Sequence, residues 1–134
     1  MSHRVLISLG AALFGVAWFA ASGRGEPKAD ARGFMRGKLV HSKQVLESLA
    51  LEDFGGIARH AEQMKLLSLD AGWQVMQTVE YVQHSEDFRR SASALVAAAD
   101  KKNLDGAVLA YFQLTQNCVN CHKYVRKIEH PKEK

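Results

Sequence analysis

A chain of 134 residues, 47% apolar and 24% charged, is long enough for one packed domain, too short for two, and too apolar to remain disordered. Eighteen basic against fourteen acidic residues leave a net charge of +4, well short of a nucleic-acid-binding balance, and no basic stripe is interleaved with aromatics. With Pro27 and Pro131 as the only prolines, and few alternating β-branched runs, the expectation is an all-α fold.

The chain begins with a short basic start at His3 and Arg4, an uncharged run over 5–20 and the small residues Ala20, Ala21 and Ser22. This is the layout of a secretory signal peptide over 1–22. The run is shorter than the roughly 20 residues a membrane span needs, and no cysteine follows it to carry a lipid anchor. Trp18 and Phe19 stand where small residues are preferred, so an uncleaved signal anchor is the alternative. Either way the domain is expected outside the cytoplasm, in the periplasm or secreted, with no membrane contact once the signal is removed.

A polar Gly/Pro linker over 23–30 leads into four helical segments. In the first, Met35, Leu39, Ser42, Leu46 and Leu49 recur at helical spacing and predict the inward stripe. The second starts near Asp53 as N-cap, with Phe54, Ile57, Ala58, Ala61, Met64 and Ser68 inward; the pair Gly55-Gly56 disfavours helix and marks close packing in its first turn. The stretch 70–84 is irregular, with a short helix expected around Trp73. Ser85 is read as the N-cap of the third helix, whose stripe is Phe88, Ala92, Leu95 and Ala99. Asp105 is read as the cap of the fourth, whose stripe Ala107, Tyr111, Leu114, Cys118, Cys121 and Val125 alternates 4-3-4-3-4. No internal repeat is visible. Four amphipathic helices with short connections predict an antiparallel four-helix bundle over 31–128, followed by a solvated tail over 129–134.

Cys118-Val119-Asn120-Cys121-His122 is a C-x-x-C-H haem attachment motif. Two thiols one helical turn apart can add to the two vinyl groups on one porphyrin edge, and the adjacent imidazole can then bind the iron. The rival readings fit less well. Zinc wants four ligands, and these residues supply three. A thioredoxin-type pair belongs in a βαβ setting. A disulfide within one helical turn would strain the helix. Only twelve residues follow His122, with no methionine and one histidine, His130, so the other face of a haem has to be built from upstream helices.

Together with this motif, the run Ala97-Ala98-Ala99-Asp100, the pair Leu104-Asp105, Arg126 four residues after His122, and the aromatics Trp73 and Phe88 make 31–126 resemble the cytochrome c′ family. The resemblance implies a four-helix bundle, often a homodimer, with one covalent haem c near the last helix. It places Arg126 as the basic residue beside the proximal histidine and Arg36 near a haem propionate. The first connection, and the segment between the second and third helices, are shorter than the family's.

Met35 and Leu39 are the candidates for the distal face. Leu39 over the iron would leave it five-coordinate; the thioether of Met35 would give a sixth bond and a raised potential. Tyr111 and Leu114 are expected to pack on the porphyrin and exclude water, while His41, His60 and His84 are expected at the surface. The function expected is haem binding without substrate turnover. It is either single-electron transfer to redox partner proteins, steered by the basic end with Lys123, Arg126, Lys127, Lys132 and Lys134, or capture of a small gas ligand, NO or CO.

Overall fold

The computed structural model describes residues 31–70 and 73–130; the expected signal peptide, the linker and the last four residues of the expected tail lie outside them. Among the described residues four helices follow in order: α1 (Ala31–Ala50), α2 (Phe54–Leu67), α3 (Val79–Asp100) and α4 (Leu104–Glu129). No strand occurs among the described residues, and none of these helices is long and apolar enough to cross a membrane. Each helix runs antiparallel to its neighbours, so the described residues form a four-helix bundle. Ser42 meets Tyr111 between α1 and α4, His41 meets His60 between α1 and α2, and Asn117 reaches Asp87 and Ser91 between α4 and α3.

The α1–α2 and α3–α4 turns are built alike. Each helix ends on a non-glycine residue in the left-handed region, Glu52 (φ 53) and Lys102 (φ 50). In each, the next residue's N–H returns five residues, Asp53 to the Ser48 carbonyl at 2.8 Å and Asn103 to the Ala98 carbonyl at 2.9 Å. This is the Schellman arrangement. Asp53 and Asn103 then cap the following helix, accepting from the Gly56 and Gly106 N–H at 2.9 and 3.0 Å. A Cβ on Gly56 would collide with the Asp53 carboxylate and the Ser48 hydroxyl, and one on Gly106 with the Asn103 amide. Asn103, not Asp105, is therefore the cap of α4, with Asp105 inside the first turn.

Near these turns the interior is dry and close-packed. Val45, Ile57, Ala61, Ala92, Leu95, Ala107 and Leu114 are wholly inaccessible. Alanines at three of these facing positions, Ala61, Ala92 and Ala107, let the helices approach closely. The stripes predicted on α2, α3 and α4 face inward as expected, joined by Ser91 and Asn117.

Two elements differ from expectation. The inward stripe of α1 passes through Lys38, Val45, Ser48 and Leu49, while Leu39 and Leu46 are each 55% exposed. The third helix also starts earlier, at Val79, capped by the Thr78 hydroxyl. Ser85 is thus buried in mid-helix, where its hydroxyl donates to the Tyr81 carbonyl, the back-bond that lets serine sit inside a helix. The described part of the α2–α3 connection has only an isolated helical turn residue at Trp73.

Candidate functional site

α1 packs mainly on α2 and meets α4 only sparsely, while α2 with α3 and α3 with α4 are tightly joined. Along this loose seam, at the end of the bundle away from the two turns, lies a cavity of about 510 Å³. This is within the range of a small-molecule site. On the α4 side it is lined by Tyr111, Cys118, Cys121 and His122, and on the α1 side by Met35, Lys38, Leu39 and Ser42; Met64, Trp73, His84 and Phe88 line it from α2, the connection and α3. A second cavity of about 460 Å³ shares Met35, Arg36, Cys121 and His122 with the first and adds Arg126. The two form one trough along the seam.

The heptad-like alternation on α4 brings the motif to this wall. Cys118 and Cys121 are both free thiols, Cys118 half-buried and Cys121 buried. Burial pushes both thiols above their ordinary value, opposed by the positive charge of Lys38, so at neutral pH they are protonated. Burial, and then the charges of Arg126 and Lys38, hold the His122 imidazole below its ordinary value, in the neutral form that keeps a lone pair on the ring. Among the described residues no three His, Cys, Asp or Glu side chains converge into a metal cage.

A hydrogen-bonded frame fixes the inner wall. The Trp73 indole N–H donates to the Ser85 hydroxyl at 2.9 Å, and the Tyr81 hydroxyl donates to the Trp73 carbonyl. Burial raises the Tyr81 phenol to about 12, so it stays a donor. Trp73 and Phe88 stack with centroids 5.9 Å apart. Asn117, one residue before Cys118, donates to the Asp87 carbonyl and the Ser91 hydroxyl at 3.0 and 2.8 Å, fixing α4 against α3. Tyr111 is tied to α1 through the Ser42 hydroxyl and carbonyl at 3.2 and 3.1 Å.

Of the residues singled out in the sequence, Met35, Leu39, Tyr111, Cys118, Cys121 and His122 come together on the first cavity, and Arg126 on the second. Leu114 does not line either; it lies in the core behind them. Arg36, exposed, stands at the mouth of both cavities. The histidines are not simple surface residues. His41 and His60 are half-buried against each other, Nδ1 to Nδ1 3.1 Å, and burial together with His60 lowers the pKa of His41. His84 stacks on Tyr124, centroids 5.5 Å apart, and lines the cavity.

Two lining residues escape sequence reasoning. Met64 sits on the predicted α2 stripe, which gives no sign that one of its members borders a cavity. Lys38 is 7% exposed, with its Nζ 3.4 Å from the Trp73 ring centroid and 3.3 Å from that of Phe88. Burial lowers its pKa to about 7, against the pull of the two cysteines. Its charge excludes it from any stripe drawn by hydrophobicity, and no other signal in the sequence marks it.

No family model matches this chain, and no curated protein or solved structure matches it.

Proposed function

We propose that this chain is a c-type cytochrome of the cytochrome c′ kind, holding one covalent haem c in the α1–α4 trough and passing single electrons outside the cytoplasm. One observation carries the reading: the two thiols and the imidazole of C-x-x-C-H open from one helix into one largely apolar cavity inside the bundle. The donor set fits the group. Cys118 and Cys121 lie one turn apart on one face, as thioether formation to two vinyl groups requires, and His122 follows at once.

In this reading Cys118 and Cys121 would hold the porphyrin through thioethers and His122 would ligate its iron. Arg36 and Arg126, both exposed beside the trough, would pair with its carboxylates. Tyr111, Trp73 and Phe88 would exclude water from the site, a means of setting the potential. When bound, haem supplies a reversible one-electron couple. The exposed Lys123, Arg126 and Lys127 near the end of α4 offer a docking charge for an acidic redox partner.

The test is direct. Produced with a haem-attachment pathway, the full chain should keep its haem stain through denaturing electrophoresis, and the double substitution Cys118→Ser, Cys121→Ser should lose it. Haem that extracts cleanly into acid acetone from the unmutated protein would overturn the reading.

A further inference from the structure

We propose that Lys38, lining the cavity from α1, is a second protein ligand of the haem iron beside His122. The inference rests on the haem reading above and concerns a residue that neither the motif nor the cytochrome c′ resemblance singles out.

The observation that needs explaining is the burial. Lys38 is 7% exposed and its amine lies between two aromatic rings, 3.4 and 3.3 Å from their centroids. The ion pairs among the described residues are Lys65 with Glu62 and Arg90 with Asp87, so no described carboxylate neutralises it. Burying an unpaired ammonium is expensive, by several kcal/mol even after relaxation, and each desolvated aromatic face returns about 2 kcal/mol or more, so the two rings offset the cost in part. Packing alone would favour leucine or methionine at this position. A buried cation with two aromatic contacts and no counter-charge among the described residues breaks the local rule, and such a place is where function is expected.

The chemistry on the page selects among the roles a buried amine can fill. Haem propionates are charged and belong at the solvent side, where Arg36 lines the mouth of both cavities; Lys38 lies instead at the inner wall. The thioethers of Met35 and Met64 border the same cavity, but both are at rest there as apolar groups, with no unmet demand. His84 already stacks on Tyr124. Of the basic side chains that line the cavity, Lys38 is the buried one, on the same cavity as Cys118, Cys121 and His122. In binding, the ammonium gives its proton to water and the nitrogen lone pair goes to iron; no electron leaves the centre.

Electron paramagnetic resonance and CO titration of the holoprotein decide it. The ferric protein should be low-spin. Lys38→Ala should convert it to high-spin, and so should Lys38→Arg, which keeps bulk and charge but has no lone pair to give; the arginine variant answers the question if the alanine variant fails to fold. Ferrous CO affinity should rise about tenfold or more in both, because no internal ligand has to leave first. Met35→Leu and Met64→Leu should leave the spin state unchanged. A high-spin unmutated protein, or a low-spin signal that survives both Lys38 substitutions, overturns the inference while the haem stain still stands. Loss of that stain from the unmutated protein would instead be the failure of the haem reading.

Discussion

The two ends of this bundle are made by the same four helices and are packed by opposite rules. At the end bearing the two turns, small and branched side chains such as Val45, Ile57, Leu95 and Ala107 leave no accessible surface. At the other end α1 and α4 part, and aromatic, sulfur-bearing and basic side chains surround a cavity of about 510 Å³. The Trp73–Ser85–Tyr81 bonds and the Asn117 clamp hold that wall in place. The contrast shows how a small helical domain keeps a cavity: one end supplies cohesion, and directional hydrogen bonds hold open the other.

The largest test of this division lies at the packed end. Leu95→Ala should destabilise the fold by about 2–5 kcal/mol, the range for a buried leucine whose neighbours cannot collapse into the gap. Leu109→Ala, at a position 70% exposed, should move stability by no more than about 0.5 kcal/mol. Chemical denaturation of the two variants compares them; similar losses would mean that the packed end is not the source of cohesion.

The open end should show itself through pH. In the haem-free chain the folded-state pKa of Lys38, about 7, lies below its ordinary 10.5, so between these values the unfolded chain binds more protons. The Lys38 contribution should therefore rise with pH across this window, with the penalty fully present below about 7 and gone above about 10.5. Between pH 7 and 8, before the thiols of the unfolded chain ionise near 9 and oppose it, the gain should approach about 1 kcal/mol per pH unit. Lys38→Met should flatten that slope. A parallel pH profile in the variant would remove Lys38 from the buried interior.

The smallest effects belong to the turns. Asp53→Ala and Asn103→Ala each remove a side-chain cap from an equivalent position and should cost about 1 kcal/mol apiece. Melting temperatures of the two variants should fall by similar amounts, and a large disparity would mean that the two turns are alike in geometry only.

Much of the packed end is legible in the sequence, because apolar spacing reports it. Phe88, Ala92, Leu95 and Ala99 mark α3, and the 4-3 alternation from Ala107 to Val125 marks α4. The open end is legible only through its chemical motif. Hydrophobic spacing points α1 inward through Leu39 and Leu46, yet its inner face carries Lys38, Ser42 and Ser48, polar groups that face a cavity and a glycine rather than a greasy core. Ser85 and Asp105 are mistaken for caps for a related reason: residues suited to capping also suit other places, and Thr78 and Asn103 stood close by in the sequence. The shared turn escapes notice because its left-handed residues are Glu52 and Lys102, where glycine would have announced them.

The sparse contact between α1 and α4 also ranks the molecule's openings by free energy. A helix held chiefly along one flank is released before those gripped on two, so the first half of α1 should lift away from the intact α2–α3–α4 body at less than the price of global unfolding. Its amides should exchange with solvent sooner than those of α3. The motion uncovers Cys118 and Cys121 together, on a helix that remains formed. The wall that shelters the two thiols is thus also the door through which they are reached.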